Sequence, residues 1–248
     1  MITIKNDSEI DKMRKAGKVL SEILNTLKDN IKVGMTGENL DKICEKIISE
    51  NNCSSNFKGY YGFPSTICVS VNENLIHGIP NSIAFKEGDL VSVDAGCIFE
   101  GYHADAAFTK VVGSYKEPIH KELVETTEES LEKAIKILKP GVRIGTIGSV
   151  IQTFVESKGF KLPTSYAGHG IGQNMHEDPI IPNVGKKDTG FKLKENMVIC
   201  IEPMVQIGTD KTIVLNDGWT VMSNNKLGTA HFEKTILITK NGFEILTK

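Results

Sequence analysis

The chain has 248 residues, 40% of them hydrophobic, enough to bury a large core. Its 29 basic and 31 acidic residues leave a net charge of −2, which excludes bulk electrostatic attraction to nucleic acid or to an anionic membrane as the basis of function. No apolar run approaches membrane-spanning length, and the opening MITIKNDSEIDKMRK mixes acids with bases and lacks the apolar segment of a signal peptide.

In chain order, Asp7 or Ser8 is placed to cap a helix running toward Asn30, with Ile10, Met13, Ala16-Gly17, Leu20 and Leu24 on one face. Lys32 to Cys53 reads as a turn and a second amphipathic helix. Strands are expected in STICVSVN, DLVSVDAGCIF and HADAAFTKVVG. A long helix follows from about Glu117 to Leu138, ending at Pro140-Gly141, and another covers Ile144 to Ser157. The last third is strand-like in NMVICIEPMVQ, TIVLN, GWTVMS and TAHFEKTILIT. Cys44, Cys53, Cys68, Cys97 and Cys200 are scattered without a CxxC pair, which fits reduced thiols in a cytosolic protein better than a disulfide framework.

The chain repeats itself. Lys32-Val33-Gly34 precedes one helix as Lys139-Pro140-Gly141 precedes another, and KEGDLVSVD (Lys86 to Asp94) matches KENMVICIE (Lys194 to Glu202). The offsets, 107 and 108 residues, point to two related halves, roughly 32–110 and 139–240, within one domain over 1–248.

The second match places an acid at the end of an apolar run in each half, Asp94 and Glu202. Glu233 lies between TAHF and KTILIT. Carboxylates so placed are costly to bury unless paired or metal-bound. A tight turn at Glu100-Gly101 makes VSVDAGCIFEGYHADAAFT a hairpin in which Phe99 faces Tyr102 and Asp105 faces Gly96. Asp94 and Asp105 are then diagonal neighbours on one face, where a bridging cation would relieve their repulsion. The stretch AGHGIGQNMHEDP is no dinucleotide loop, because no clear strand feeds it and no helix follows. Its glycines let backbone crowd round His169. Four carboxylates and one imidazole form a hard, oxygen-rich set suited to a pair of divalent ions.

Asp94, Asp105, His169, Glu202 and Glu233, in that order, resemble the dinuclear-metal site of the type I methionine aminopeptidases. HGIP, VSVDAG, GHGIGQNMHEDP, IEPM and DGWT match that family's signatures in order and spacing, and the likeness covers nearly the whole chain. It implies the α/β pita-bread fold, with two pseudo-symmetric halves around a central antiparallel sheet. It implies two divalent ions (cobalt, manganese, iron or zinc) held by those five residues, Asp94 and Glu233 bridging them. It implies removal of the first methionine from nascent chains whose second residue is small. Glu202 would also be the general base, His176 would bond the carbonyl oxygen, and His77 would contact the backbone nitrogen near the scissile bond. Tyr60, Phe63, Cys68 and Trp219, bordered by Phe57 and Met175, would form the methionine pocket; Cys68 would serve packing, not nucleophilic attack.

The chain departs from the family pattern at Met175, where an aromatic is common, and at Phe63, where tyrosine is frequent. AHFEKT replaces the usual Gln-Tyr-Glu-His run, so His231 and Lys234 are local novelties. A proline-specific pita-bread peptidase usually carries an extra N-terminal domain, for which Asp94 comes too early. A non-catalytic binding member would lack ligands, and all five are present. A cytoplasmic monomer is expected, acting on nascent N-termini with transient ribosome contact, without membrane or direct nucleic-acid binding. Because Met1 precedes the bulky Ile2, it should be retained.

Overall fold

Asn6, one residue before the acid favoured from sequence, caps the first helix. Its side chain accepts from the Glu9 amide while the Glu9 carboxylate accepts from the Asn6 amide. The structure, a computed structural model, describes residues 2–248; the expected retention of Met1 falls outside them. The α-helices among the described residues are α1 (Asp7–Asn30), α2 (Gly37–Glu50), α3 (Pro118–Lys136) and α4 (Ile144–Ser157). Their apolar faces join both sheets in one core, which includes Leu20, Leu40, Leu123 and Ile151. Each of these fully buried side chains contributes about 1.5–3 kcal/mol.

The strand Leu90–Phe99 pairs antiparallel with Ile67–Val71 on one side and Tyr102–Val111 on the other. In a second sheet, Val198–Ile201 lies between Lys234–Thr239 and Ala167–Gly170, with Gly242–Ile245 and Glu177–Pro182 outermost. The two sheets meet where the Ala107 amide donates to the Glu233 carbonyl (3.4 Å) and the Glu233 amide donates to the Ala107 carbonyl (3.0 Å). This seam makes one central antiparallel layer.

The halves correspond in detail. α2 and α4 both have 14 residues, starting at Gly37 and Ile144. Before α2, Gly34 and Phe85 donate to Phe85 and Met35 carbonyls; before α4, Gly141 and Leu193 donate to Leu193 and Val142 carbonyls. These pairs stand at the same spacings as the matching sequence segments.

Strand alternation then decides which residues face away from the helices. Val91, Val93, Ala95 and Cys97 enter the helix-covered core, as do Ala104, Ala106 and Phe108. Asp94 and Asp105 therefore project from the opposite face. Two apolar runs also break where the chain changes sheet. NMVICIEPMVQ splits at Glu202-Pro203 into Val198–Ile201 and Met204–Gln206, and TAHFEKTILIT splits at Phe232-Glu233 into Thr229–His231 and Lys234–Thr239. Both breaks carry an acid.

Candidate metal and substrate site

The hairpin register is the expected one: Phe99 faces Tyr102, Gly96 faces Asp105, and Asp94 faces Ala107. Asp94 lies within a ten-residue strand and does not end it, because pairing continues to Phe99. Carboxylate oxygens of Asp94, Asp105 and Glu233 lie within 4.8 Å of one another. Asp105 is locked through its backbone, donating to Thr235 Oγ1 at 2.9 Å and accepting from it at 2.7 Å.

His169 sits on the strand Ala167–Gly170, a strand that the sequence pattern does not predict. The strand forms because its glycines permit close neighbours. A Cβ on Gly168 would lie 2.3 Å from the Cys200 carbonyl oxygen, and one on Gly170 would lie 2.2 Å from that of Asp178. His169 Nδ1 lies 2.9 Å from the Gly170 carbonyl, which can only accept, so Nδ1 carries the proton. The lone pair on Nε2 is left facing Glu202 Oε1 at 3.6 Å and Glu233 Oε1 at 4.0 Å.

Burial raises the pKa of Asp94, Asp105, Glu202 and Glu233, and neighbouring carboxylates push the last three further. Asp94 Oδ1, Asp105 Oδ1 and Glu233 Oε1 are buried with no hydrogen-bond partner among the described residues. Burial also lowers the His169 pKa to about 4, with His176 adding to the shift. Orphaned oxygens, mutual repulsion and an unprotonated imidazole nitrogen together fit divalent metal.

These groups form the floor of a cavity of about 300 Å³. Its wall is an apolar cluster of Phe57, Phe63, Cys68 and Met175, packed by Tyr60, Ile79 and Trp219. Phe63 and Trp219 stack edge to face with centroids 5.1 Å apart. Cys68 faces Asp94 across the strand pair; burial, then the surrounding carboxylates, raises its thiol pKa, so it is not a thiolate nucleophile.

His176 and His77 complete the lining. The His176 ring stands edge-on to His169 at 4.4 Å, and its Nδ1 is 3.0 Å from the Tyr60 hydroxyl. Partial burial lowers its pKa. The adjacent Glu177 is tied to the N-terminal segment, accepting from Lys5 Nζ at 2.8 Å and Thr3 Oγ1 at 2.5 Å. His77 adopts a left-handed backbone, φ +58°, a strained conformation that turns the chain after Asn74–Ile76. Although His77 is exposed to the cavity, desolvation by its walls lowers its pKa to about 4, with His176 contributing.

Every site residue singled out in the sequence thus lines one cavity. Three neighbours were not placed there by sequence. Tyr61 joins the wall, Cys200 lies within 4.8 Å of His169 and Glu233, and His231 Nε2 is 3.7 Å from Glu202 Oε2. The spacing of Cys200 and His231 two residues before Glu202 and Glu233 was the available signal.

A buried carboxylate–imidazole cluster beside an apolar pocket, on this pseudo-symmetric frame, defines a pita-bread metallohydrolase. The family model described as metallopeptidase family M24 matches residues 11–240. The chain is 57% identical to a methionine aminopeptidase of Mycoplasma capricolum, over 100% of this chain and 99% of that protein. A crystal structure of a Thermotoga maritima methionine aminopeptidase superposes with a TM-score of 0.98 at 47% identity, covering 100% of both chains. A Pyrococcus furiosus prolidase is more distant, at 27% identity and a TM-score of 0.79, covering 99% of this chain and 65% of that one. The chain belongs to metallopeptidase family M24.

Proposed function

We propose that this protein removes the N-terminal methionine from nascent proteins and peptides whose second residue is small. One observation carries the reading: the carboxylate cluster and a pocket of aromatic rings, Met175 and Cys68 share a single cavity. Similarity to the M. capricolum and T. maritima enzymes supports it. Release of methionine from Met-Ala-Ser, with Met-Leu-Ser left intact, tests it.

Asp94, Asp105, His169, Glu202 and Glu233 would hold two divalent ions. Such ions supply Lewis-acid polarisation of the scissile carbonyl and activation of water. The apolar wall seats the methionine thioether. Glu202 takes a proton from the attacking water as its oxygen bonds to the carbonyl carbon, and returns it to the amine as the carbon–nitrogen bond breaks. A Tyr60 hydroxyl donating across its 3.0 Å contact with His176 Nδ1 would keep the imidazole proton on Nε2, the donor form for a developing oxyanion. His77 steadies the backbone nitrogen beside the scissile bond.

His176→Ala is expected to lower kcat by about 10²–10³-fold, with metal content unchanged by elemental analysis. A kcat near that of the native enzyme would remove His176 from this role.

No helix among the described residues is long and apolar enough to cross a membrane. The proposed setting is the cytoplasm, where a monomeric catalytic domain spanning 1–248 meets nascent N-termini through transient ribosome contact.

A further inference from the structure

His231 is 2% exposed, and its Nε2 has no hydrogen-bond partner among the described residues. An imidazole nitrogen left this way carries a desolvation penalty. Its backbone is held on both sides by one hydroxyl: the amide lies 2.8 Å from Thr109 Oγ1, and the carbonyl accepts from that hydroxyl at 2.9 Å. The strand Thr229–His231 is further fixed by pairing with Met204–Gln206. The backbone that carries the ring is therefore fixed, and Nε2 faces Glu202 Oε2 at 3.7 Å. That separation exceeds hydrogen-bond length, but a small rotation of either side chain closes it. The other oxygen, Oε1, faces His169 Nε2 at 3.6 Å. Glu202 thus lies between two imidazoles, one for each oxygen, and its backbone carbonyl accepts from Asn183 Nδ2 at 2.8 Å.

We propose that His231 is a positioning residue for Glu202: its neutral Nε2–H holds Oε2 and fixes the carboxylate with Oε1 presented to the metal and the attacking water. The inference rests on the proposed role of Glu202 and adds a residue that acts only through it. Groups that orient a metal-binding carboxylate are worth about 10–100-fold in metal affinity or rate. Any neutral N–H donor of similar reach satisfies the requirement, so glutamine can replace histidine and methionine cannot.

The test compares His231→Gln with His231→Met, which match in length and flexibility and differ in the donor. His231→Met should lower kcat for Met-Ala-Ser about 10–100-fold with KM within about threefold, and weaken calorimetric binding of Mn²⁺ to the metal-free protein about tenfold. His231→Gln should restore both to within a few-fold of the native protein. Equal behaviour of the two variants, or native kcat and Mn²⁺ affinity in a folded His231→Met, overturns the proposal. If His231→Met does not fold, ¹⁵N NMR of the zinc-loaded native protein decides: a protonated Nε2 supports the assignment and an unprotonated Nε2 refutes it. A native enzyme that releases no methionine sinks the parent reading instead, while the Mn²⁺ affinities and the ¹⁵N signal still decide the role of His231.

Discussion

Glu202→Ala is expected to lower kcat for methionine release from Met-Ala-Ser by about 10³-fold or more. General base catalysis alone is worth about 10²–10⁴-fold, and the same carboxylate contributes to the metal cluster. Glu202 serves both ends because it stands where the apolar strand Val198–Ile201 stops at Pro203 and the chain changes sheet. Its carboxylate is desolvated there, and in the metal-free protein burial followed by the charges of Asp94 and Asp105 raises its pKa. Glu202→Gln separates the two duties, since the amide keeps the shape and an oxygen but cannot take a proton. It should lose rate nearly as fully while retaining more metal. A Glu202→Gln enzyme of near-native kcat would contradict the assignment.

Removing the metal should have an effect of similar size on activity and a pH-dependent effect on stability. The folded metal-free protein holds four carboxyls whose pKa values burial raises above the unfolded values of about 4, with mutual repulsion adding for Asp105, Glu202 and Glu233. A carboxyl raised in the folded state binds more protons folded than unfolded. Its stabilising contribution is present at acid pH and is lost as pH rises from about 4 through the folded value. Divalent ions replace those protons and relieve the repulsion. At about 100 times the dissociation constant, binding adds about 2.7 kcal/mol, or roughly 5–10 °C of melting temperature for a chain of this size. The gap between loaded and stripped melting temperatures should therefore widen from pH 5 to pH 8. A gap that is absent, or that narrows with pH, would refute the cluster as a metal site.

The helices and the hairpin were legible because their signals are local. The parity of a two-residue turn was enough to put Asp94 and Asp105 on one face, and the spacing of two short matches anticipated corresponding bonds in the two halves. The strand at Ala167–Gly170 was not legible. It has almost no side chains to show alternation, and its glycines matter only through the Cys200 and Asp178 carbonyls that approach them. At Glu202-Pro203 and Phe232-Glu233 the acids marked the positions, but the change of sheet was hidden, since each apolar run continues past the point where its pairing partner changes. The proximity of His231 to Glu202 comes from the pairing of Thr229–His231 with Met204–Gln206, which sets His231 opposite Met204; the spacing before each acid hints at it, but the pairing register is written in neither segment.

The most direct test of the central claim uses metal-stripped protein refilled separately with manganese, iron, cobalt and zinc, each assayed on Met-Ala-Ser, Met-Leu-Ser and Ala-Pro-Ser. Metal-dependent release of methionine from Met-Ala-Ser alone is the result predicted here. Cleavage of Ala-Pro-Ser in its place would assign the cavity to proline-specific hydrolysis. No cleavage by folded protein shown to bind two ions would contradict a catalytic role altogether.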